Sequence, residues 1–398
     1  MSRTGRSIPI AVDARWIFRE ISGIGEYTRE LIRALAALDR KNRYVLLFDN
    51  ADVRARTLAE TGVRDAPNVT SVLLPWGLFS VRNQLLLPRA LRRRGIEVFH
   101  ATNYMIPFLA FPRRRTGAVR CVTTIHDVIP LLFPDHGPRS RKTRLFTLYR
   151  RVMIEAGARS DFILTDSRAA REDLLGPLRI PPAEADKVRA IYCGVAERFR
   201  SAAPPAARPA AGGDAAVLLY VGRCDPYKNL PLAVRALAAA RQACPGPVRL
   251  AVAGAPDPRY PEAIRLADRL GLRDAVHWLG YLPDEELVRA YQRADLLVHP
   301  SRYEGFGLQV AEALAAGLPV VCTNAGALPE VAGDAALLTD PGDEDGFVRN
   351  VVRVLREPEL ARDLSARGRR QAARFTWRRT AEQTLAVYEE AALGGNRP

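Results

Sequence analysis

Pro300-Ser301-Arg302-Tyr303-Glu304-Gly305-Phe306-Gly307-Leu308-Gln309-Val310-Ala311-Glu312-Ala313-Leu314 follows an apolar run that begins at Leu296, and this stretch decides the fold. The run from Leu296 to Pro300 reads as a buried strand. The segment Leu308–Ala316 reads as a helix, and two glycines lie between them. Glycines there let backbone N–H groups approach an anion at the positive end of a helix dipole. Gly305, Phe306, Gly307 and Leu308 are therefore expected to form a phosphate cradle. A carboxylate repels a diphosphate, so Glu304 in the loop fits sugar hydroxyls better, and Glu312, inside the helix, fits the paired hydroxyls of a ribose.

The same strand–loop–helix unit recurs in both directions, which is the rhythm of parallel sheets in α/β proteins. Strands are expected at 8–15, 44–50, 69–75, 98–102, 119–127, 162–167 and 188–195, with helices at 26–37, 81–94, 141–158 and 167–176. Residues 201–214, rich in Ala, Pro and Gly, supply no core face and read as a linker. The rhythm restarts with strands at 216–222, 248–254, 276–282, 296–300, 319–323 and 336–339. Helices are expected at 230–243, 261–270, 284–294, 308–316 and 347–356. The expectation is an α/β protein of two doubly wound Rossmann-like domains, 1–200 and 215–375, facing a central cleft. A last amphipathic segment within 376–398 is expected to cross back to the first domain.

The chain has 398 residues, 48% of them hydrophobic and 26% charged, which excludes disordered and collagen-like classes. No apolar run reaches the ~18 residues that a membrane span needs. The start, Met1 to Asp13, lacks an apolar signal core, so a cytoplasmic protein is expected. Five scattered cysteines fit neither a disulfide framework nor a zinc knuckle. The net charge is +15, and all of it sits in the first half: residues 1–200 hold 35 Lys+Arg against 20 Asp+Glu, leaving 24 against 24. Such asymmetry suggests an anionic partner for that half, nucleic acid or an acidic lipid surface. Clusters such as Arg92-Arg93-Arg94 and Arg113-Arg114-Arg115 lack interleaved aromatics, which disfavours nucleic acid. The run Arg139, Arg141, Lys142, Arg144, Arg150 and Arg151, mixed with Leu145, Phe146, Leu148 and Tyr149, fits a segment lying on a membrane surface.

Only four of the 59 basic residues are lysines. One of them, Lys228, lies in Val221-Gly222-Arg223-Cys224-Asp225-Pro226-Tyr227-Lys228-Asn229, between the second half's first strand and its helix. Arg223 offers a planar fork and Lys228 a point charge where doubly wound folds bind phosphates. Together they can neutralise a diphosphate leaving group. Asp343-Glu344-Asp345 matches a metal-binding D-x-D by letter but opens a helix after a Pro-Gly turn, and reads as structural. No metal and no cofactor are expected.

These motifs in this order resemble the retaining glycosyltransferases of family 4, which have the GT-B fold, over nearly the whole chain. Glu304 and Glu312 match that family's E-x7-E motif, and Gly222-Arg223 with Pro226-Tyr227-Lys228-Asn229 its basic motif. Ser22-Gly23-Ile24-Gly25-Glu26-Tyr27-Thr28 resembles the glycine-rich loop, in which Gly23 and Gly25 let backbone approach the donor. Thr124-Ile125-His126-Asp127 resembles the segment whose His faces the donor sugar, with Asp127 there to orient His126 or to cap the next segment. Ile191-Tyr192-Cys193-Gly194-Val195 is similar to the segment before the linker, except that Cys193 stands where Asn is usual.

The resemblance implies a metal-independent hexosyltransferase using a nucleoside-diphosphate sugar. Glu304, Arg223, Lys228 and His126 would be its catalytic groups. Within the family, the glycine-rich and His segments look most like those of bacterial mannosyltransferases of cell-surface polysaccharide assembly, which favours GDP-mannose as donor. A glycan or polyprenyl-linked acceptor and peripheral contact with an anionic membrane are expected. A nucleotide-sugar 2-epimerase or phosphorylase on the same architecture is the alternative within enzymes, and a nucleic-acid-binding protein the alternative of another class.

Overall fold

The computed structural model describes residues 6–21, 23–113, 119–134, 145–200 and 215–394. The expected linker 201–214, Ser22 and the basic residues Arg139, Arg141, Lys142 and Arg144 lie outside the described residues. The chain forms two compact units. The first takes the chain up to Leu131, Leu145–Gly194 and everything from Thr376, and the second holds Leu132–Arg144 and Val195–Phe375.

Among the described residues of the first unit, seven strands form one sheet: β1 (Pro9–Asp13), β2 (Arg43–Phe48), β3 (Val69–Leu73), β4 (Val98–Ala101), β5 (Arg120–Thr124), β6 (Phe162–Thr165) and β7 (Val188–Ala190). The order is β3-β2-β1-β4-β5-β6-β7, and every pairing is parallel. Helices cover both faces of such a sheet, so β4 and β6 are buried at every residue and read as continuous apolar runs. The edge strand β3 is only partly buried. Helix Gly23–Leu38 packs against Trp377–Ala392, the final helix, which also lies on β4 and β5. Thr376 caps that final helix by accepting from the Arg379 N–H, and Gly194 leaves room for it: a Cβ at 194 would come within 2.2 Å of the Trp377 nitrogen.

The described residues of the second unit form six strands: β8 (Ala216–Val221), β9 (Val248–Ala253), β10 (Val276–Trp278), β11 (Leu296–His299), β12 (Val320–Thr323) and β13 (Leu337–Thr339). Their order is β10-β9-β8-β11-β12-β13, again parallel throughout. Leu218, Tyr220, Leu250, Val252, Leu296 and Val298 point into one core with Leu230, Val234 and Leu237 of helix Leu230–Ala243.

Several elements differ from expectation, among them the short helices Ile129–Leu132 and Leu328–Ala332, which the sequence reading lacks. The first domain ends at Gly194, not at residue 200, because the turn Glu197–Arg200 belongs to the second unit. Its Phe199 packs edge-on against Tyr291, and Arg200 donates to the carbonyls of Ala372 and Phe375. Helices Ala51–Thr61 and Pro358–Ala372 have no counterpart in the sequence reading. The buried stripe of the first, Val53, Thr57 and Thr61, is mostly polar and gives little amphipathic signal, whereas the second buries Leu364, Gly368, Gln371 and Ala372 beside Leu360 and Ala361, a stripe in which small and polar residues break the apolar period.

Candidate active site

In each sheet the strand order reverses once, between β1 and β4 and between β8 and β11. Ligands of doubly wound sheets bind outside the carboxyl ends of strands at that switch point. In the second unit the two loops leaving the switch are the segments that carry Lys228 and Glu304. They are tied together by the Arg302 N–H, which donates to the Tyr227 carbonyl at 2.7 Å.

Lys228 ends the 3-10 turn Pro226–Lys228, and Asn229 follows with φ +52 as the first cap of helix Leu230–Ala243. The Lys228 ammonium donates to both carboxylate oxygens of Glu304, at 2.7 and 2.9 Å. His299, the last residue of β11, places Nε2 2.9 Å from Glu304 Oε1. All three side chains are buried. Burial pushes the Glu304 carboxyl up, but the Lys228 charge and the His299 hydrogen bond outweigh it and hold the group well below the usual carboxylate range. Three of a carboxylate's roughly four lone-pair directions are thus filled, leaving room for about one more donor, such as a hydroxyl.

The loop around Glu304 is built by glycines. Gly307 opens helix Leu308–Ala316 with φ +91, a conformation that costs glycine least. Gly326 has φ +55, and a Cβ there would meet the Glu304 carbonyl oxygen at 2.4 Å. The neighbouring Ala327 N–H donates to that same oxygen at 3.0 Å. Phe306 is buried and packs edge-on against Phe375. Glu312 is also buried, and its Oε2 accepts from the Tyr291 hydroxyl at 2.8 Å, so it is no solvated helix glutamate.

Arg223 does not join this group. Its side chain is 67% exposed and is paired with buried Asp225, Nε to Oδ2 at 2.8 Å and a second bond at 3.1 Å. The two expected phosphate cations are therefore unlike: Lys228 is fixed on Glu304, and Arg223 is exposed and held by Asp225. Asp343 accepts from the Gly346 N–H at 2.8 Å as a helix cap, and Glu344 pairs with Arg235.

In the first unit His126 follows β5 and bonds at both ring nitrogens, Nδ1 to Asp166 Oδ2 at 2.7 Å and Nε2 to the Thr102 carbonyl at 3.1 Å. Asp166, not Asp127, orients it. Asp127 Oδ1 instead accepts from the Ile129 N–H at 3.0 Å and caps the next turn. Gly23 and Gly25 open helix Gly23–Leu38 as expected, and Gly25 lies close to the Trp16 carbonyl. Asp13, at the end of β1, holds Arg15 in a fully buried pair, 2.6 Å at the shorter contact.

His299, Tyr291 and Asp166 were not singled out from sequence. A usable signal existed for two of them: His299 and Asp166 are polar residues closing apolar strands, at the carboxyl end where this fold binds ligands.

Comparison with known proteins places these features. Residues 21–198 match the Glycosyltransferase Family 4 description, and residues 206–371 match Glycosyl transferases group 1. The O-antigen chain mannosyltransferase B of Escherichia coli is 29% identical over 399 residues, covering 93% of this chain and 96% of that protein. The D-inositol 3-phosphate glycosyltransferase of Saccharomonospora viridis is 36% identical over 246 residues, 59% of this chain and 56% of that one. Among solved structures, Anabaena HepE in complex with UDP and glucose superposes with a TM-score of 0.72 at 19% identity, covering 96% of this chain and 100% of that one. Two family regions in succession, carried on two Rossmann-like parallel sheets, make this chain a family 4 glycosyltransferase of the GT-B fold that resembles mannosyltransferases.

Proposed function

We propose that the enzyme transfers a mannosyl unit from GDP-mannose to a hydroxyl of a polysaccharide or lipid-linked glycan, with retention of configuration and without a metal ion or cofactor. The observation that carries this reading is the buried Lys228–Glu304 pair at the switch point of the second sheet, beside a helix opened by glycine. Lys228 and the N-terminus of helix Leu308–Ala316 supply positive charge for the diphosphate. Glu304 accepts from a sugar hydroxyl and Glu312 from ribose hydroxyls. Arg223, being exposed, is free to exchange Asp225 for a phosphate. The bond from the anomeric carbon to the phosphate oxygen breaks as the acceptor oxygen bonds on the same face, and the acceptor proton passes to the leaving phosphate. Mannose is favoured over glucose, galactose or N-acetylglucosamine because a relative that matches along nearly the whole chain is named a mannosyltransferase.

Release of nucleoside diphosphate from a panel of GDP-, UDP- and ADP-linked sugars, with and without EDTA, tests this reading. The expected result is turnover of GDP-mannose at the same rate in chelator, since side chains do the work of a divalent cation. Preference for another donor overturns the mannosyl assignment. Loss of activity in EDTA, restored by magnesium, would return Asp343 and Asp345 to consideration.

The acceptor's membrane is proposed to meet the first unit at helix Val81–Arg93. That helix has no acidic residue, and Val81, Arg82, Leu85, Arg89, Arg92 and Arg93 are exposed on it. At 100° per residue these six fall on one continuous face. Phe79 precedes them at 61% exposure, and Leu109 lies on the adjoining turn at 65%. Mixed Arg and apolar exposure suits an anionic lipid surface, where each basic residue adds about 1 kcal/mol. Among the described residues no helix is long and apolar enough to cross a membrane. Sedimentation with anionic vesicles is expected at low salt and release at high salt, with Leu85→Glu shifting the protein to the supernatant. Recovery in the supernatant under every condition removes the membrane from the account.

A further inference from the structure

His126 has two hydrogen-bond partners of one kind. The Asp166 carboxylate and the Thr102 carbonyl both accept and neither donates. A neutral imidazole carries one N–H and satisfies only one of them, whereas an imidazolium satisfies both. The sheet enforces the arrangement, because β5 and β6 are neighbours in register, Thr124 beside Leu164, and the two side chains leave the same end.

The surroundings favour the charge. Burial disfavours it, but the Asp166 carboxylate outweighs burial and raises the His126 pKa above the ordinary histidine value, with Asp127 adding in the same direction. Tyr27 presents its ring edge-on at 4.8 Å between centroids. His100, bonded to the Tyr388 hydroxyl at 2.6 Å and Thr124 Oγ1 at 2.8 Å, is pushed by burial and by His126 down to about 3, so it adds no second cation. The Cys193 thiol sits beside Asp166 and is pushed well up by burial and by that carboxylate, so it stays a neutral donor and adds no second anion.

We propose that Asp166 is a positioning residue that locks His126 as an imidazolium with both N–H bonds committed, so that His126 serves as a fixed positive charge toward the anionic donor and neither gives nor takes a proton. This role rests on the transferase reading above. The locked ring itself does not, and the two separate by experiment.

Nitrogen-15 NMR titration of the five histidines in the full chain reads the ring directly. His126 is expected to keep two protonated nitrogens well above pH ~6.5, the unperturbed midpoint, and His100 to stay neutral from about pH 5 upward. Asp166→Asn should lower the His126 midpoint by at least about one unit. At pH values above both midpoints a one-unit drop removes about tenfold of the imidazolium, so kcat/KM should fall by up to about tenfold there, with the deficit shrinking to nothing as pH falls below the variant's midpoint. The direction follows from the raised value: the charge is present at low pH and lost as pH rises. A neutral His126 in the wild type at pH 7 overturns the proposal even if the variant does not fold. So does a variant with an unchanged midpoint, or one whose midpoint moves while its pH–rate profile does not. A wild type that turns over no nucleotide sugar overturns the transferase reading instead and leaves the titration result standing.

Discussion

Lys228→Ala is expected to lower kcat by at least about a hundredfold, the scale of losing one preorganised charge-stabilising group. It should also lower the melting temperature, because the Glu304 carboxylate is then left buried with only His299 beside it. Breaking a buried pair by removing one partner costs roughly 3–5 kcal/mol, whereas replacing both partners together is often close to neutral. Glu304→Ala should behave in the same way, so low activity in either single variant does not by itself separate chemistry from folding. The double variant Lys228→Met/Glu304→Gln separates them. Its melting temperature should recover towards wild type while its kcat stays at the level of the singles. Near-wild-type turnover in Lys228→Ala, or recovery of activity in the double variant, would remove this pair from the reaction.

The second large effect is expected at Gly326. Its φ of +55 alone makes alanine unfavourable by about 1–2 kcal/mol. A Cβ would also meet the Glu304 carbonyl oxygen at 2.4 Å and the Glu304 nitrogen at 3.1 Å, backbone atoms that cannot swing aside. Gly326→Ala should therefore push the Glu304 loop off its position, lowering kcat by at least about tenfold and stability by roughly 3 kcal/mol or more. Gly62 is the matched control. It has φ +68 but open space where a Cβ would stand, so Gly62→Ala carries the backbone penalty alone and leaves kcat unchanged. Equal loss of stability in the two variants, measured by denaturant titration, would show that the close approach at Gly326 is not felt.

The central strands were legible because buried parallel strands are apolar on both faces, and runs such as Phe162–Thr165 or Leu296–His299 stand out without alternation. Helix Leu308–Ala316 was legible for the same reason, with seven of its residues buried. Helix Ala51–Thr61 packs through Val53 and two threonines, where little hydrophobic period exists to be read, whereas Pro358–Ala372 carries one in Leu360, Leu364 and Ala372 but interrupts it with Gly368 and Gln371. Gly368, for example, matters only because a Cβ there would come within 3.1 Å of Leu314, a fact of another helix fifty-odd positions earlier. The site was legible in its charges and obscure in its pairings. Lys228 and Glu304 stood out singly, by scarcity and by spacing. That they bond to each other follows from strand order, which brings β8 beside β11, and no local pattern states it. The same reason hid Asp166 from His126, while Tyr291 and Glu312 meet across two packed helices, Asp284–Arg293 and Leu308–Ala316.

The final helix, Trp377–Ala392, belongs to the first unit, although the whole second unit is encoded before it. Tyr388 on that helix is fully buried and supplies the hydroxyl that His100 of β4 bonds. On the ribosome, then, the second unit has all its strands and helices while the first still lacks a layer of its own core. Until translation reaches Ala392, helix Gly23–Leu38 and strand β5 have apolar surface open to chaperones and proteases. The half made first is the half finished last, and a chain cut short after Phe375 would carry a complete second unit beside an uncovered first one.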